Sequence, residues 1–283
     1  IVNSDWSSDV CSSDLGFEIT RSVARAGFEV IMACLDPSSG EKKKSQIVKE
    51  TGNESIKVMS LDLSSFKSIN SFARSIRDGN RRIKLLMNNA GTMTPTHVLS
   101  NGIEKTVFVN CVGTHLLTRN IINAMDAGGR VVNMGSLTHS FGRVDLPDFF
   151  TAGGRGCYNR LKSYSNSKLG LVLNSLEAAE MFKYKKITIN VADPGIVSTG
   201  IITMNNVIID TLANLFFRPF IRTPAQGAQT PIKLLLDKNI DGVTGLYFSN
   251  CKAKKLSKKV LNNPMRKELY ERTEEIIKPY LID

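Results

Sequence analysis

The chain has 283 residues, 42% of them hydrophobic and 22% charged. That balance suits one large domain, or at most two, with a real core. The formal net charge of +11 admits an anionic cofactor, an anionic membrane or nucleic acid. Its cations are scattered apart from Glu41–Lys44 and Lys252–Lys259, and no nucleic-acid motif accompanies them, so a solvated basic surface with phosphate binding is the reading.

Five cysteines (Cys11, Cys34, Cys111, Cys157 and Cys251) are odd in number and lack C-x-x-C spacing. They read as free thiols in a reducing compartment, not as disulfides or zinc ligands. No metal site is expected. No apolar run is long enough to span a bilayer, and no signal peptide is visible, so the expectation is cytoplasmic, with an upstream anchor or leader left open.

In chain order, the first legible element is "GFEITRSVARAGFEVIMAC" from Gly16, a helix leading into a strand at Phe28–Ala33. Further short β-branched runs follow at Ile56–Leu61, Ile83–Asn89, Arg130–Gly135, Ile187–Asp193 and Gly245–Ser249. Between them lie amphipathic stretches such as "SSFKSINSFARSIRD" and "SNSKLGLVLNSLEAAEMFKY". Continuous apolar strands separated by helices indicate a parallel sheet covered on both faces. Right-handed crossovers then give an α/β, doubly wound fold in a single domain. Ligands of such folds sit at the carboxyl ends of the strands. That nominates Cys34-Leu35-Asp36, Asp62-Leu63, Asn89-Ala90-Gly91, Gly135-Ser136 and Pro194-Gly195-Ile196-Val197.

The segment "YSNSK" places Tyr164 and Lys168 four apart on an apolar helix, on one face. A tyrosine, with a reference pKa of about 10, is a poor base at neutral pH. A nearby ammonium favours the phenolate, so Lys168 is expected to lower the pKa of Tyr164 and open proton exchange with an alcohol oxygen. Alone, this pair is weak, because a surface pair on a helix has the same spacing. Its context is what counts: Ser136 follows "VVNMG", Asn110 sits in "VFVNCVGTHLL", and "NNAG" and "DPG" end two more strands at the same sheet edge.

With these motifs in this order, the chain resembles the short-chain dehydrogenase/reductase family from Gly16 to about Pro279. The resemblance implies a Rossmann-type fold over residues 16–283, binding NAD or NADP, with the cofactor carrying the hydride chemistry. It implies that Tyr164 is the acid/base and that Lys168 binds the nicotinamide ribose and tunes Tyr164. By the same likeness Ser136 orients the substrate oxygen and Asn110 holds a water that extends the proton relay. Gly16, Leu35, Asp62, Leu63, Asn89, Ala90, Gly91, Pro194, Gly195, Val197 and Thr199 then contact the cofactor. Family members pair through the helices bearing Asn110 and Tyr164, which implies a homodimer or homotetramer. A finer likeness is to retinol-dehydrogenase-like members and the oxidoreductase domain of the WW-domain-containing oxidoreductase. It rests on the Gly16–Cys34 segment, on "LTHSFGRVDLPDF" and on "GAQTPIKLLL…GVTGLYFSNCK". Twenty-eight positions separate Ser136 from Tyr164, and the extra segment between them is expected to cap the substrate pocket.

The family's phosphate turn reads Thr-Gly-Ala-x-x-Gly-Ile-Gly. Counting back from Gly16 puts Asp14 and Val10 where glycines belong and "SDWSS" (Ser4–Ser8) in the buried first strand. A carboxylate would then face phosphate at a helix N-terminus suited to anions, and polar side chains would sit in the core. Residues 5–15, "DWSSDVCSSDL", match one frame of a common sequencing adapter. Residues 1–15 are therefore read as an artefact in place of the first strand and glycine turn, and the chain as printed is expected to bind cofactor poorly.

Leu35 cannot pair with a 2′-phosphate, and Cys34 occupies the usual acidic position; the lean to NADP over NAD rests on resemblance, with Lys42–Lys44 as available cations. "VIIDTLANLFFRPFI" (Val207–Ile221) is expected to form a lid with Phe216, Phe217 and Phe220 toward a lipophilic alcohol, aldehyde or ketone. The same stripe also suits core or a membrane-surface contact. The reading is an NAD(P)-dependent oxidoreductase; the competing one is a catalytically silent binding or scaffold protein on the same fold.

Overall fold

The computed structural model describes residues 1–4, 14–154, 156, 158–197 and 222–282. Ten strands are found there: β1 Val2–Ser4, β2 Val30–Cys34, β3 Ile56–Ser60, β4 Ile83–Asn88, β5 Leu99–Ser100, β6 Ile103–Glu104, β7 Met125–Met134, β8 Thr188–Asp193, β9 Tyr247–Ser249 and β10 Lys252–Lys254. The α-helices are α1 Asp14–Arg25, α2 Pro37–Thr51, α3 Phe66–Asp78, α4 Lys105–Val107, α5 Thr114–Ile121, α6 Leu146–Phe149, α7 Arg160–Met181, α8 Pro224–Leu236, α9 Lys258–Leu261 and α10 Arg266–Ile277.

Eight strands make one sheet in the order β10-β9-β8-β7-β4-β1-β2-β3, and every pairing but β10 on β9 is parallel. The order reverses beside β1, which lies between β2 and β4; the crevice at a doubly wound switch point opens there. Alternation along β2 explains the layers. Ile31 and Ala33 join one apolar layer with side chains of α3, α5 and α7, while Val30, Met32 and Cys34 join the other with α1, α2 and α8. Both faces are buried, which is why the strands read as apolar runs. Polar caps fix where helices start: Asp36 accepts from the Ser38 N–H before α2, and Thr223 and Gln226 form a reciprocal capping box before α8. The last helix, α10, lies along α7 and meets α5 through the 2.6 Å contact of His115 Nε2 with Glu274 Oε1.

All six strands read from the sequence are present. The first strand is not where counting back from Gly16 put it. Strand β1 is Val2–Ser4, with Val2 opposite Met32 and Met87, so it ends at Ser4, not Ser8. The reason is apolar: Val2 is buried in the sheet, which the polar "SDWSS" could not supply. Residues 5–13 lie outside the described residues, as do Thr199 and the whole Val207–Ile221 segment. Among the described residues, no helix is long and apolar enough to cross a membrane. Part of the segment between Ser136 and Tyr164 is anchored: Phe149 is buried in the α7 layer, and the Tyr158 hydroxyl donates to the Thr94 carbonyl at 2.8 Å.

Candidate active site

The carboxyl ends of β4, β7 and β8 converge with α7. The side chain of Asn159 caps α7 by accepting from the Lys162 N–H, and the helix then runs for 22 residues beneath the sheet edge. Lys168 is buried at 3% exposure, and its Nζ donates to the Met134 carbonyl at the end of β7, 2.9 Å away. The same Nζ lies 5.7 Å from the centroid of the Tyr164 ring. Four-residue spacing on a helix thus brings the pair together, as expected.

Asn110 arrives by a less regular route. Phe108–Gly113 forms a π-helical segment between α4 and α5, a distortion that concentrates at functional sites. It turns Asn110 toward the loop after β4: Oδ1 accepts from Thr92 N at 2.8 Å, and Nδ2 donates to Thr92 O at 2.9 Å and Ser167 Oγ at 3.0 Å. Gly91 sits in the crook of this arrangement. A Cβ there would stand 3.2 Å from Asn110 Oδ1 and 3.4 Å from Lys168 Nζ, so the side-chain-free backbone keeps that approach open. In the same segment, a Cβ on Gly113 would meet the Leu63 carbonyl at 2.2 Å, so only glycine lets the strand-three loop close on the helix.

Ser136 begins a 3-10 turn, Leu137–Phe141, with its Oγ accepting from Thr138 Oγ1 at 3.0 Å, and it is a hydrogen-bonding neighbour of Tyr164. Part of Tyr164 is open to solvent, yet its hydroxyl is desolvated, which pushes its pKa up to about 12 against the pull of Ser136. Burial pushes Lys168 down to about 8, with Asp193 and Cys111 acting the other way. The expectation that Lys168 makes Tyr164 more acidic than usual is therefore overturned for this structure. Desolvation of the phenol is the larger effect, the ammonium is directed at Met134, and the group that favours the phenolate is Ser136.

The remaining predicted contacts occupy the neighbouring strand ends. Gly16 is buried in the first turn of α1. Leu35 is 48% exposed beyond β2, and Asp36 is engaged in capping α2. The Asp62 carboxylate accepts from the N–H and the hydroxyl of Ser64, both at 2.7 Å, while Leu63 is buried. Asn89 and Ala90 are partly buried just after β4. Beyond β8, Gly195 N donates to Asp193 Oδ1 at 2.9 Å, Pro194 is partly buried, and Val197 bridges to Arg222. The structure thus unites Asn110, Ser136, Tyr164, Lys168 and Gly91 and ranges the other predicted residues that it describes along the carboxyl ends of the strands; Thr199 lies outside the described residues. A cavity of about 520 Å³ lined by Val2, Phe28, Arg81 and Lys84 lies at the opposite edge, around the start of the short β1.

Three residues here escaped sequence reasoning. Glu104 is fully buried and accepts from Thr94, Thr106, Val107, Tyr158 and Ser163, the last at 2.6 Å and next to Tyr164. Asp193 and Tyr247 are each 5% exposed beside Tyr164. The one signal for Asp193 was its place in "DPG"; Glu104 and Tyr247 come from distant stretches without a motif.

A family model described as short chain dehydrogenase matches residues 11–207. The chain belongs to the short-chain dehydrogenases. Bovine (Bos taurus) retinol dehydrogenase 12 is 33% identical over 269 residues, which cover 94% of this chain and 84% of the relative. Mouse (Mus musculus) polyprenol dehydrogenase is 32% identical over 84% of this chain and 72% of its own. Among solved structures, an uncharacterized protein of Mycobacterium paratuberculosis superposes with a TM-score of 0.73 at 23% identity, over 98% of this chain and 92% of that one. A short chain dehydrogenase of Shigella flexneri complexed with NADP gives 0.65 at 19%, over 88% and 96%. Both show the fold. A nicotinamide-dependent short-chain dehydrogenase needs an open backbone and polar partners at the ribose end, and Gly91, Asn110 and Lys168 meet that need. Counted back from Gly16, its phosphate turn falls in residues 9–16, of which 9–13 lie outside the described ones.

Proposed function

We propose that the protein interconverts a lipophilic alcohol and its aldehyde or ketone, using NADP in preference to NAD. The observation that carries this reading is the single cluster of Tyr164, Lys168, Ser136 and Asn110 at the switch-point crevice. When bound, the nicotinamide supplies the hydride chemistry. Lys168, with Asn89, Ala90 and Gly91, would hold its ribose side; Pro194, Gly195, Val197 and Thr199 would flank the nicotinamide; Leu35, Asp62 and Leu63 would border the adenosine; Gly16 would lie under the phosphates. Tyr164 exchanges a proton at the substrate oxygen, Ser136 orients that oxygen, and Asn110 supports the proton path from the rear of the site.

The lipophilic substrate is supported by the names of the relatives, which act on retinol and polyprenol. The preference for NADP is supported by the NADP-bound neighbour and by Lys42–Lys44 on α2. The test uses Tyr164→Phe in a chain whose residues 5–15 are replaced by the glycine pattern; it should abolish turnover of long-chain alcohols and aldehydes while sparing cofactor affinity measured by nicotinamide fluorescence. Unchanged turnover removes Tyr164 from this role; binding without any turnover in the unmodified protein favours the silent scaffold. A strong preference for NAD overturns the cofactor assignment.

A further inference from the structure

The helical stretch that carries Asn110 begins with an unusual cap. Helix N-caps favour Ser, Thr, Asp and Asn. The cap of α4 is instead Glu104, whose carboxyl accepts from the Thr106 and Val107 N–H groups at 3.0 and 3.1 Å. An aspartate could do as much. The additional methylene of Glu104 carries Oε2 on to α7, where the Ser163 hydroxyl donates to it at 2.6 Å. Oε1 is fixed at the same time by the hydroxyls of Thr94 and Thr106, both at 2.9 Å. Glu104 is 0% and Ser163 2% exposed, so water does not compete for the contact.

A second brace lies one helical turn further along α7. Asn110 Nδ2 donates to Ser167 Oγ at 3.0 Å, and the Ser167 hydroxyl donates in turn to the Tyr164 carbonyl at 2.8 Å. Ser163 and Ser167 share one face of α7, and Tyr164 and Lys168 each follow by one position. Asn110 and the Met134 carbonyl fix the Lys168 end of this face. Glu104 fixes the other end, at the residue before Tyr164.

We propose that Glu104 is a positioning residue for the reaction: through Ser163 it fixes the first turn of α7 and so the place of the Tyr164 hydroxyl at the substrate oxygen. This rests on the oxidoreductase reading and names what aims its acid/base. Glu104 joins the pieces that a proton path needs in register. Its Oε1 holds Thr94, in the loop whose Thr92 is bonded to Asn110, and its Oε2 holds the turn that presents Tyr164. A phenol hydroxyl stands at the far end of a long side chain, so a small rotation of the helix is amplified there. A misplacement of about 1 Å costs up to about 10²-fold in rate.

Two variants cut the tie from either end. Ser163→Ala removes the donor; Glu104→Asp retains the α4 cap and withdraws the acceptor. In the full chain without cofactor, amide hydrogen exchange over residues 160–166 should become about tenfold faster in both, as one lost hydrogen bond allows, with residues 170–181 unchanged. In the chain whose residues 5–15 are replaced by the glycine pattern, kcat should fall about 10- to 100-fold, with cofactor affinity and substrate KM unchanged. The double variant should be no slower than the slower single one, because both cut the same link. Losses that multiply in the double variant overturn the proposal, as does unchanged exchange over residues 160–166 or an unchanged kcat. A kcat that falls only with the folded fraction, or together with cofactor affinity, marks a purely structural role and overturns it too. Should Glu104→Asp fail to fold, Ser163→Ala decides by exchange and kcat, since it leaves the α4 cap intact. Faster exchange in a protein that turns over no alcohol or carbonyl keeps the brace and rejects the oxidoreductase reading instead.

Discussion

The Lys168 ammonium donates to the Met134 carbonyl at 2.9 Å, which fastens the middle of α7 to the carboxyl end of β7. The bond sets the amine 5.7 Å from the centre of the Tyr164 ring and buries it away from water. A buried charge costs stability, and burial has lowered this amine to about 8. In the unfolded chain it titrates near its ordinary value, so between about pH 8 and 10.5 the unfolded state binds more protons and stability rises with pH. Lys168→Met removes that cost. Its melting temperature should exceed that of the unmodified protein below pH 8, and the advantage should shrink as pH rises toward 10.5. Turnover should be lost. Calorimetry across that range decides; equal melting temperatures at neutral pH would show that the amine is not desolvated.

The raised Tyr164 value has a kinetic consequence. With the phenol held up to about 12, the protonated acid persists across neutral pH and carbonyl reduction should be flat there. Alcohol oxidation needs the phenolate, so its rate should climb with pH through the alkaline range. A reduction rate falling steeply between about pH 6 and pH 8, where a histidine titrates, would point to another proton donor. Removing one general acid costs about 10²–10⁴-fold in rate, the expected size of the Tyr164→Phe loss.

Glu104 ties together the loop after β4, the start of α4 and the residue before Tyr164. In Glu104→Ala the buried donors of Thr106, Val107 and Ser163 lose their acceptor, each orphaned group costing about 1–3 kcal/mol. Urea unfolding should show a loss of several times about 1 kcal/mol. Tyr158 and Thr94 also contact each other, at 2.8 Å, so they should suffer less. A midpoint within error of the unmodified protein would show that the network relaxes freely.

Asn110 spans two elements, and Asn110→Ala leaves the Thr92 N–H without its side-chain partner. Activity should fall, and cofactor affinity should fall with it, because the Thr92 loop follows Gly91 directly. Retained affinity at reduced turnover would instead confine Asn110 to the proton path. Titration of nicotinamide fluorescence separates the two.

The connection from β1 at Ser4 to α1 at Asp14 carries the mismatched phosphate turn. Replacing residues 5–15 by the glycine pattern Gly-Ala-x-x-Gly-Ile before Gly16 should strengthen cofactor binding by at least about tenfold, equivalent to about 1.4 kcal/mol. Equal affinity before and after the replacement would show that the printed block is no obstacle.

The sequence by itself determined six strands of the sheet and the candidate pair. Strands buried on both faces must be continuously apolar, so Val30–Cys34, Ile83–Asn88 and Thr188–Asp193 announce themselves. Tyr164 and Lys168 sit four apart on a helix, where local geometry alone brings side chains together. Only the tertiary structure decided how that pair is charged. The Asp193 carboxylate acts on Tyr164 from another strand, and Glu104 gathers donors from residue 94 to residue 163. Desolvation depends on everything packed around a group, so a spacing rule that places an ammonium beside a phenol is blind to the burial that raises the phenol.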